Sequence, residues 1–92
     1  MNAELMLTLL KVDLGITTDR YDERLEVYIE AARTAIETEG VSLDSDSPSD
    51  GNLVVMYAAW LWRKRDTGEG MPRSLRWMLN NRLMSEKVTQ NG

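Results

Sequence analysis

Ten consecutive residues in the second half of the chain, 53–62, carry neither a charge nor a strongly polar group. The run reads LVVMYAAWLW and continues directly into Arg63, Lys64 and Arg65. A helix that is apolar on every side has to be surrounded, because any uncovered face would expose hydrocarbon to water. The run is too short to cross a bilayer, which takes roughly 20 apolar residues. The pattern therefore predicts a central helix around which the rest of the chain packs.

Three further segments have the periodic apolar positions of amphipathic helices. With the central helix included, the predicted helices cover residues 4–14, 22–39, 50–66 and 72–87. Gly15 and Gly40 follow the first two helices, at the position where a left-handed residue commonly ends a helix. Thr18 or Asp19 is the expected N-cap of the second helix, and Pro72 suits the first position of the fourth.

These elements predict an all-α fold, with one domain over residues 1–92 and about four helices arranged around the central apolar helix 53–62. Residues 42–52 are dense in turn-forming residues and are expected to form a flexible loop, and residues 88–92 a frayed tail. An EF-hand calcium loop needs Gly at its sixth position and Glu at its twelfth. Counted from Asp44, those positions hold Ser49 and Val55, so we expect no metal site.

The chain of 92 residues contains neither Cys nor His. The commonest metal ligands and the usual pairs of nucleophile and base are therefore missing, and no cofactor-binding loop is recognisable. We expect no enzyme activity, no catalytic residue and no cofactor. The first residues lack the positive charge and cleavage site of a signal peptide, so we expect synthesis in the cytoplasm and no membrane association. A domain this small is modestly stable alone, and self-association would add stability.

Charge is divided unevenly along the chain, whose net charge is −4. Residues 1–62 contain four basic and twelve acidic residues, whereas residues 63–92 contain seven basic and three acidic residues. A molecule with one acidic and one basic end can meet its own copies head to tail, and such contacts generate rings or filaments. Two ordinary solvated surfaces are the alternative interpretation of the same distribution.

Two helix faces are the candidates for such contacts. The outer face of the second helix carries four glutamates within a sector of roughly 60°, namely Glu23, Glu26, Glu30 and Glu37. The fourth helix has an inner stripe of Leu75, Met78, Leu79 and Leu83, which is expected to dock on the domain. Its candidate contact residues are Arg73, Arg76, Trp77, Asn80, Arg82 and Met84. Trp, Met and Arg are enriched at protein interfaces, although a half-exposed Trp on an ordinary surface is the simpler alternative.

The sequence favours nucleic-acid binding less than contact with another protein chain. The basic residues 63–65 can contact phosphate, but the C-terminus of a helix attracts cations without any ligand. A helix-turn-helix built from the first two helices would bring the four glutamates close to DNA phosphates, which would repel them. Two alternatives stay open: a weak DNA-binding regulator, and a small cytosolic helical adaptor that binds another protein through the Trp77 face.

Three stretches of the chain resemble one protein family. They are Leu9-Leu10-Lys11-Val12-Asp13-Leu14-Gly15-Ile16 with Asp22-Glu23-Arg24-Leu25 and Ala31-Ala32 after it, residues 53–63, and Met71-Pro72-Arg73-Ser74-Leu75-Arg76-Trp77-Met78-Leu79-Asn80-Asn81-Arg82-Leu83. In order and spacing they are similar to the bacteriophage head-tail connectors, the small helical head-completion or DNA-packaging adaptors of phages and prophages. The resemblance covers nearly the whole chain except residues 42–52.

This resemblance implies a structural, non-enzymatic subunit of the virion at the junction of head and tail. Members assemble into a ring beneath the portal protein, bridge it to the next connector or stopper protein, and let DNA pass through the lumen. A ring needs two different complementary surfaces on each subunit. We therefore expect the acidic face of the second helix to meet the basic fourth-helix region of a neighbouring copy. The acidic face lining the lumen is the alternative, and reversing the charges of Glu26 and Glu30 separates the two cases.

Overall fold

The computed structural model describes the backbone of residues 1–91 and the side chains of residues 1–88. Within that range the chain forms four α-helices and no strand, which confirms the predicted all-α fold. The helices are α1 (Ala3–Leu14), α2 (Asp22–Thr38), α3 (Pro48–Thr67) and α4 (Arg73–Asn91). None of them combines the length and the hydropathy that a membrane span requires.

Helix α3 lies at the centre, and each of the other three helices packs against it. Its buried side chains span roughly 240° around the helix axis: Leu53, Val54, Val55, Tyr57, Ala58 and Ala59. Met56 and Trp60, on the remaining side, are half-buried against the same core, so the apolar helix is largely but not completely covered. Helix α2 makes the most extensive contact with α3 and contributes Leu25, Ile29, Ala32 and Ile36 to the core.

Helix α4 docks on the domain by one side only, and its main helical neighbour is α3. Leu75 and Leu79 are fully buried, and Met78 and Leu83 are half-buried against the same core. The inner stripe predicted from the sequence is therefore the docking side. The opposite side of α4 has no described neighbour and faces solvent.

Helix α3 begins earlier than predicted, so the loop before it is shorter. The Ser47 hydroxyl accepts a hydrogen bond from the Asp50 amide at 3.2 Å, and Pro48 occupies the first turn, where its missing N–H costs nothing. Residues 48–52 of the predicted loop 42–52 are consequently helical. The predicted start was Asp50, because residues 42–52 are so rich in turn-forming residues that Ser47 could not be distinguished as an N-cap.

Three other predicted helix boundaries need correction. The residue before α2 is Tyr21, with no side-chain capping bond, because Thr18 and Asp19 belong to the preceding turn. Pro72 lies just before α4, and its carbonyl accepts the Arg76 amide at 3.0 Å. Helix α4 continues through residues 88–91, which were predicted as a frayed tail, because no Gly or Pro interrupts the chain there. Gly92, the last residue of that tail, lies outside the described residues. Gly15, by contrast, ends α1 in the predicted left-handed conformation, with φ of 71°.

We expect Leu79→Ala to lower the free energy of unfolding by about 2–5 kcal/mol, because it leaves a cavity where α4 meets the core. Leu79 is completely inaccessible to solvent. Urea unfolding followed by circular dichroism measures the change. The matched control is Val12→Ala, on the exposed side of α1, which should change the same free energy by less than about 0.5 kcal/mol. An equal effect of the two substitutions would contradict the docking of α4 through its inner stripe.

Candidate functional site

The solvent-facing side of α4 carries a stripe of exposed apolar residues. Trp77 is 67% exposed, Met84 65% and Val88 67%. At 100° per residue the three lie within a sector of roughly 40°. Arg73 and Asn80 are also exposed and lie beside this stripe. We refer to Arg73, Trp77, Asn80, Met84, Lys87 and Val88 as the α4 outer face. The structure thus brings together four predicted contact residues and adds Lys87 and Val88, of which Val88 lay beyond the predicted end of the helix.

The solvent-facing side of α2 is acidic. Glu23, Glu26, Glu30 and Glu37 are all exposed, as is the apolar Val27, which is 63% exposed. We refer to these five residues as the α2 outer face. Glu30 lies 3.8 Å from the guanidinium of Arg33, one turn along the helix. An exposed pair of this kind contributes little to stability, so the face keeps its acidic character.

Arg82, predicted as a contact residue, is engaged within the chain. Its Nε donates to Asp50 Oδ1 at 2.8 Å, its Nη1 to Glu86 Oε2 at 2.7 Å, and its Nη2 to the Ser42 carbonyl at 2.8 Å. Asp50 is only 4% exposed, and its carboxylate also accepts the Asp44 amide at 2.9 Å. One guanidinium therefore joins α4 to the start of α3 and to the loop before it. We leave Arg82 out of the proposed contact surface for this reason.

These hydrogen bonds also shift the acid-base equilibria of the groups involved. The bond to Asp50 raises the pKa of Arg82, with smaller contributions from Glu86. The bond from Arg82 lowers the pKa of Glu86 below its ordinary value of 4.5, and Ser42 acts in the same direction. The sequence contained a partial signal for this network, because Arg82 and Glu86 are four residues apart on one helix. The position of Asp50 opposite them depends on tertiary packing.

Arg76, another predicted contact residue, also has a partner within the chain. Its Nη1 lies 3.2 Å from Glu39 Oε1, just beyond the end of α2. Both side chains are partly exposed, so the pair is weak and can exchange partners at little cost. Among the described residues, Arg73 makes no ion pair, and its guanidinium is exposed.

The three basic residues at the end of α3 are used in packing. The guanidinium of Arg65 lies 3.7 Å from the centre of the Trp62 ring, and the Lys64 ammonium lies 4.5 Å from that of Trp60. Arg63 donates to the Asp13 carbonyl at 3.3 Å, near the end of α1. These cation–π contacts and this carbonyl contact give each cation a protein partner without phosphate.

An aromatic cluster supports the same end of α3. The rings of Tyr21 and Tyr28 meet Trp62 edge to face, at centroid distances of 5.9 and 5.4 Å. Trp60 donates its indole N–H to the Glu69 carbonyl at 3.1 Å. This cluster could not be predicted from the sequence, because Tyr21 and Tyr28 are far from Trp62 in the chain. The spacing of Trp62 before Arg65 on one helix was the available signal.

The acidic loop before α3 and the groove between α3 and α4 are the remaining places where a ligand could be expected. The acidic residues of the loop serve its own structure, since Asp44 Oδ1 accepts the Asp46 amide at 2.9 Å and Asp50 binds Arg82. In the part of the chain that the structure describes, no group of three or more acidic residues is placed to hold a metal ion. A groove open to solvent lies between α3 and α4 and is lined in part by Leu53, Trp77 and Met78.

Comparison with known proteins gives one match. The sequence model of a family described as phage gp6-like head-tail connector proteins matches residues 4–75. This range contains α1, α2, α3 and the first turn of α4, so the first two resembling stretches lie inside it. The third stretch extends to Leu83, and its residues 76–83 lie beyond the match. Searches of the curated proteins and of the solved structures found no match.

We expect Arg82→Ala to lower the free energy of unfolding by about 2–3 kcal/mol, because it leaves the carboxylate of Asp50 buried without its cationic partner. Urea unfolding at neutral pH measures the loss. Arg73→Ala is the matched control on the exposed side of the same helix, and should change stability by less than about 0.5 kcal/mol. If both substitutions cost the same, the network around Arg82 does not hold α4 in place.

The stability advantage of the native chain over Glu86→Gln should depend on pH. The pKa of Glu86 is lower in the folded than in the unfolded chain. Ionised Glu86 therefore stabilises the fold at pH values above its unfolded-state pKa, and this stabilisation is lost as pH falls through its folded-state pKa. Unfolding midpoints measured from about pH 7 down to about pH 3 should therefore converge for the two proteins. Glu26→Gln, an exposed carboxylate on α2, serves as control. A difference that grows on acidification would contradict the Arg82–Glu86 interaction.

Proposed function

The chain belongs to the family of phage gp6-like head-tail connector proteins, and from this membership we propose that its copies assemble into a ring at the junction of the phage head and tail. The family is structural, and membership makes the protein a virion component. In the proposal the ring lies beneath the portal protein and bridges it to the next connector or stopper protein. DNA passes through the lumen without base-specific contacts. The observation that carries the proposal is the family match over residues 4–75.

The α4 outer face supports assembly with other protein chains. It presents Trp77, Met84 and Val88 to solvent in one stripe, and isolated small domains seldom expose such aligned large apolar residues. Burial of each large side chain contributes roughly 1.5–3 kcal/mol. Exposed ion pairs contribute only about 0–1 kcal/mol each. Apolar contact would therefore supply most of the affinity, and charge would orient the partners.

The positions of the two outer faces suit closed assembly. The α2 outer face and the α4 outer face belong to different helices that each pack on α3, so one copy can use both at once. A contact between two different surfaces is heterologous, and repetition of it closes into a ring when the rotation between copies allows. The alternative of a weak DNA-binding regulator is less well supported, because residues 63–65 already contact aromatic rings and a carbonyl.

We expect the purified protein to form a discrete ring at high concentration, and Trp77→Ala to weaken that assembly by roughly 30-fold, the loss of about 2 kcal/mol at an interface hot spot. Light scattering after size exclusion, together with native mass spectrometry over a wide concentration range, measures the mass. Val12→Ala removes an exposed apolar side chain from α1 and is the matched control.

The connector role itself is tested by mixing the protein with its cognate portal. A protein that is monomeric alone but forms a ring on the portal still acts as a connector, with the portal as template. A protein that stays monomeric and also fails to bind the portal contradicts the proposed function.

A further inference from the structure

We propose that the α4 outer face binds the α2 outer face of a second copy, with the two helices antiparallel and in a register that places Lys87 opposite Glu23 and Arg73 opposite Glu37. This inference rests on the proposed function and specifies its subunit contact. It follows from how charge and apolar surface are laid out on the two helices.

On α4 the apolar stripe has a basic edge. We measure angles around the helix axis from Arg73, at 100° per residue. Trp77, Met84 and Val88 then lie at roughly +20° to +60°. Arg73, Lys87 and Arg76 fall at roughly 0° to −60°. The opposite edge carries the uncharged Asn81. The face is therefore apolar along its middle and basic along one edge only.

On α2 the layout is the same with the opposite charge. Taking Glu23 as the origin, all four glutamates fall at roughly 0° to −60°. Val27 and Thr34 fall at roughly +20° to +40°, with Ala31 beyond them. Viewed from outside with the N-terminus at the top, both helices carry their charged edge on the right. The α2 face is thus acidic on the edge where the α4 face is basic.

This shared handedness selects the antiparallel arrangement. When two such helices face each other antiparallel, right edge meets right edge, so the glutamates meet the basic residues and the two middle stripes meet each other. A parallel arrangement would place the glutamates against the uncharged edge of Asn81 and leave Arg73 and Lys87 without carboxylates. Opposite charges across an interface fix orientation and register more than they add affinity.

The spacing of charges along the helices fixes the register. Glu23 and Glu37 are 14 residues apart, and so are Arg73 and Lys87. Both spacings correspond to about 21 Å along a helix. An antiparallel pair can therefore match both ends at once, and Glu30 then meets Asn80. Arg76, the remaining cation of the basic edge, already pairs with Glu39 of its own chain.

The same register also matches the sizes of the apolar side chains. In this register Met84 is level with Glu26, and Val27, the exposed large apolar residue of α2 within the acidic face, is the next residue, displaced by about 1.5 Å along the helix. Trp77 is level with Arg33 and lies within two residues of Thr34 and Ala31 on the facing side, whose small side chains leave room for an indole ring. Since the charges fixed the register, this agreement is an independent argument for it.

Cross-linking tests the contact directly, because the chain contains no Cys. Copies carrying Glu23→Cys are mixed with copies carrying Lys87→Cys and treated with a short bismaleimide. We expect a cross-linked dimer in this mixture and in the mixture of Glu37→Cys with Arg73→Cys. The matched control mixture, Glu23→Cys with Arg73→Cys, should give at least tenfold less product, and so should each variant alone.

Charge reversal gives a second readout. Glu23→Lys with Glu37→Lys, and separately Arg73→Glu with Lys87→Glu, should each weaken self-association by at least about tenfold. An equimolar mixture of the two variants should recover assembly, because each restores the charge that the other needs. Native mass spectrometry should then show both variants in the same particles. Circular dichroism checks that each variant is folded.

The outcomes separate this contact from the connector role. Oligomers that cross-link Glu23→Cys to Arg73→Cys, or that show no rescue on mixing, would overturn the antiparallel pairing while portal binding still supports a connector. A chain that stays monomeric at every concentration, with no cross-linked dimer, would also overturn the pairing. Cross-linking and rescue as expected, in a protein that does not bind the portal, would support the pairing and contradict the proposed function.

Discussion

The structure depends on covering the apolar surface of α3. A helix with an uncharged, apolar surface over residues 53–62 is stable in water only if neighbours remove most of it from solvent, and α1, α2 and α4 do so, leaving Met56, Trp60, Leu61 and Trp62 half-buried. In a chain of 92 residues this uses the inner stripe of every other helix. The residues that each outer helix does not bury against α3 form the surface of the protein.

The second requirement is to hold α4 in register with the start of α3. Leu75 and Leu79 provide apolar attachment, which by itself tolerates sliding, whereas the bonds of Arg82 to Asp50 and the Ser42 carbonyl define one position. A buried carboxylate is costly without its partner, so the pair favours a single arrangement of α4. The direction in which Trp77 and Met84 face solvent is therefore fixed by a polar contact on the other side of the helix.

The sequence predicted the features that depend on local periodicity. The apolar run of α3, the inner stripe of α2 and the exposure of Trp77 follow from residue spacing within one helix. The partners of Arg82 and the contacts of Tyr21 and Tyr28 with Trp62 did not follow, because they join residues that are distant in the chain. The early start of α3 was missed because Ser47 and Pro48 read equally well as loop residues or as a helix beginning. The hydrogen bond from the Asp50 amide to the Ser47 hydroxyl identifies the helix beginning.

Helix α4 keeps its folding residues and its solvent-facing residues on opposite sides. Substitutions at Trp77, Met84 or Val88 leave the core untouched, because Leu75 and Leu79 lie on the far side of the same helix. The family match ends at Leu75, just where this helix begins, so most of the outer face lies beyond the matched region. Substitutions on the outer face can therefore change this surface without a penalty in folding. A change in the contact surface would consequently need no compensating change in the core.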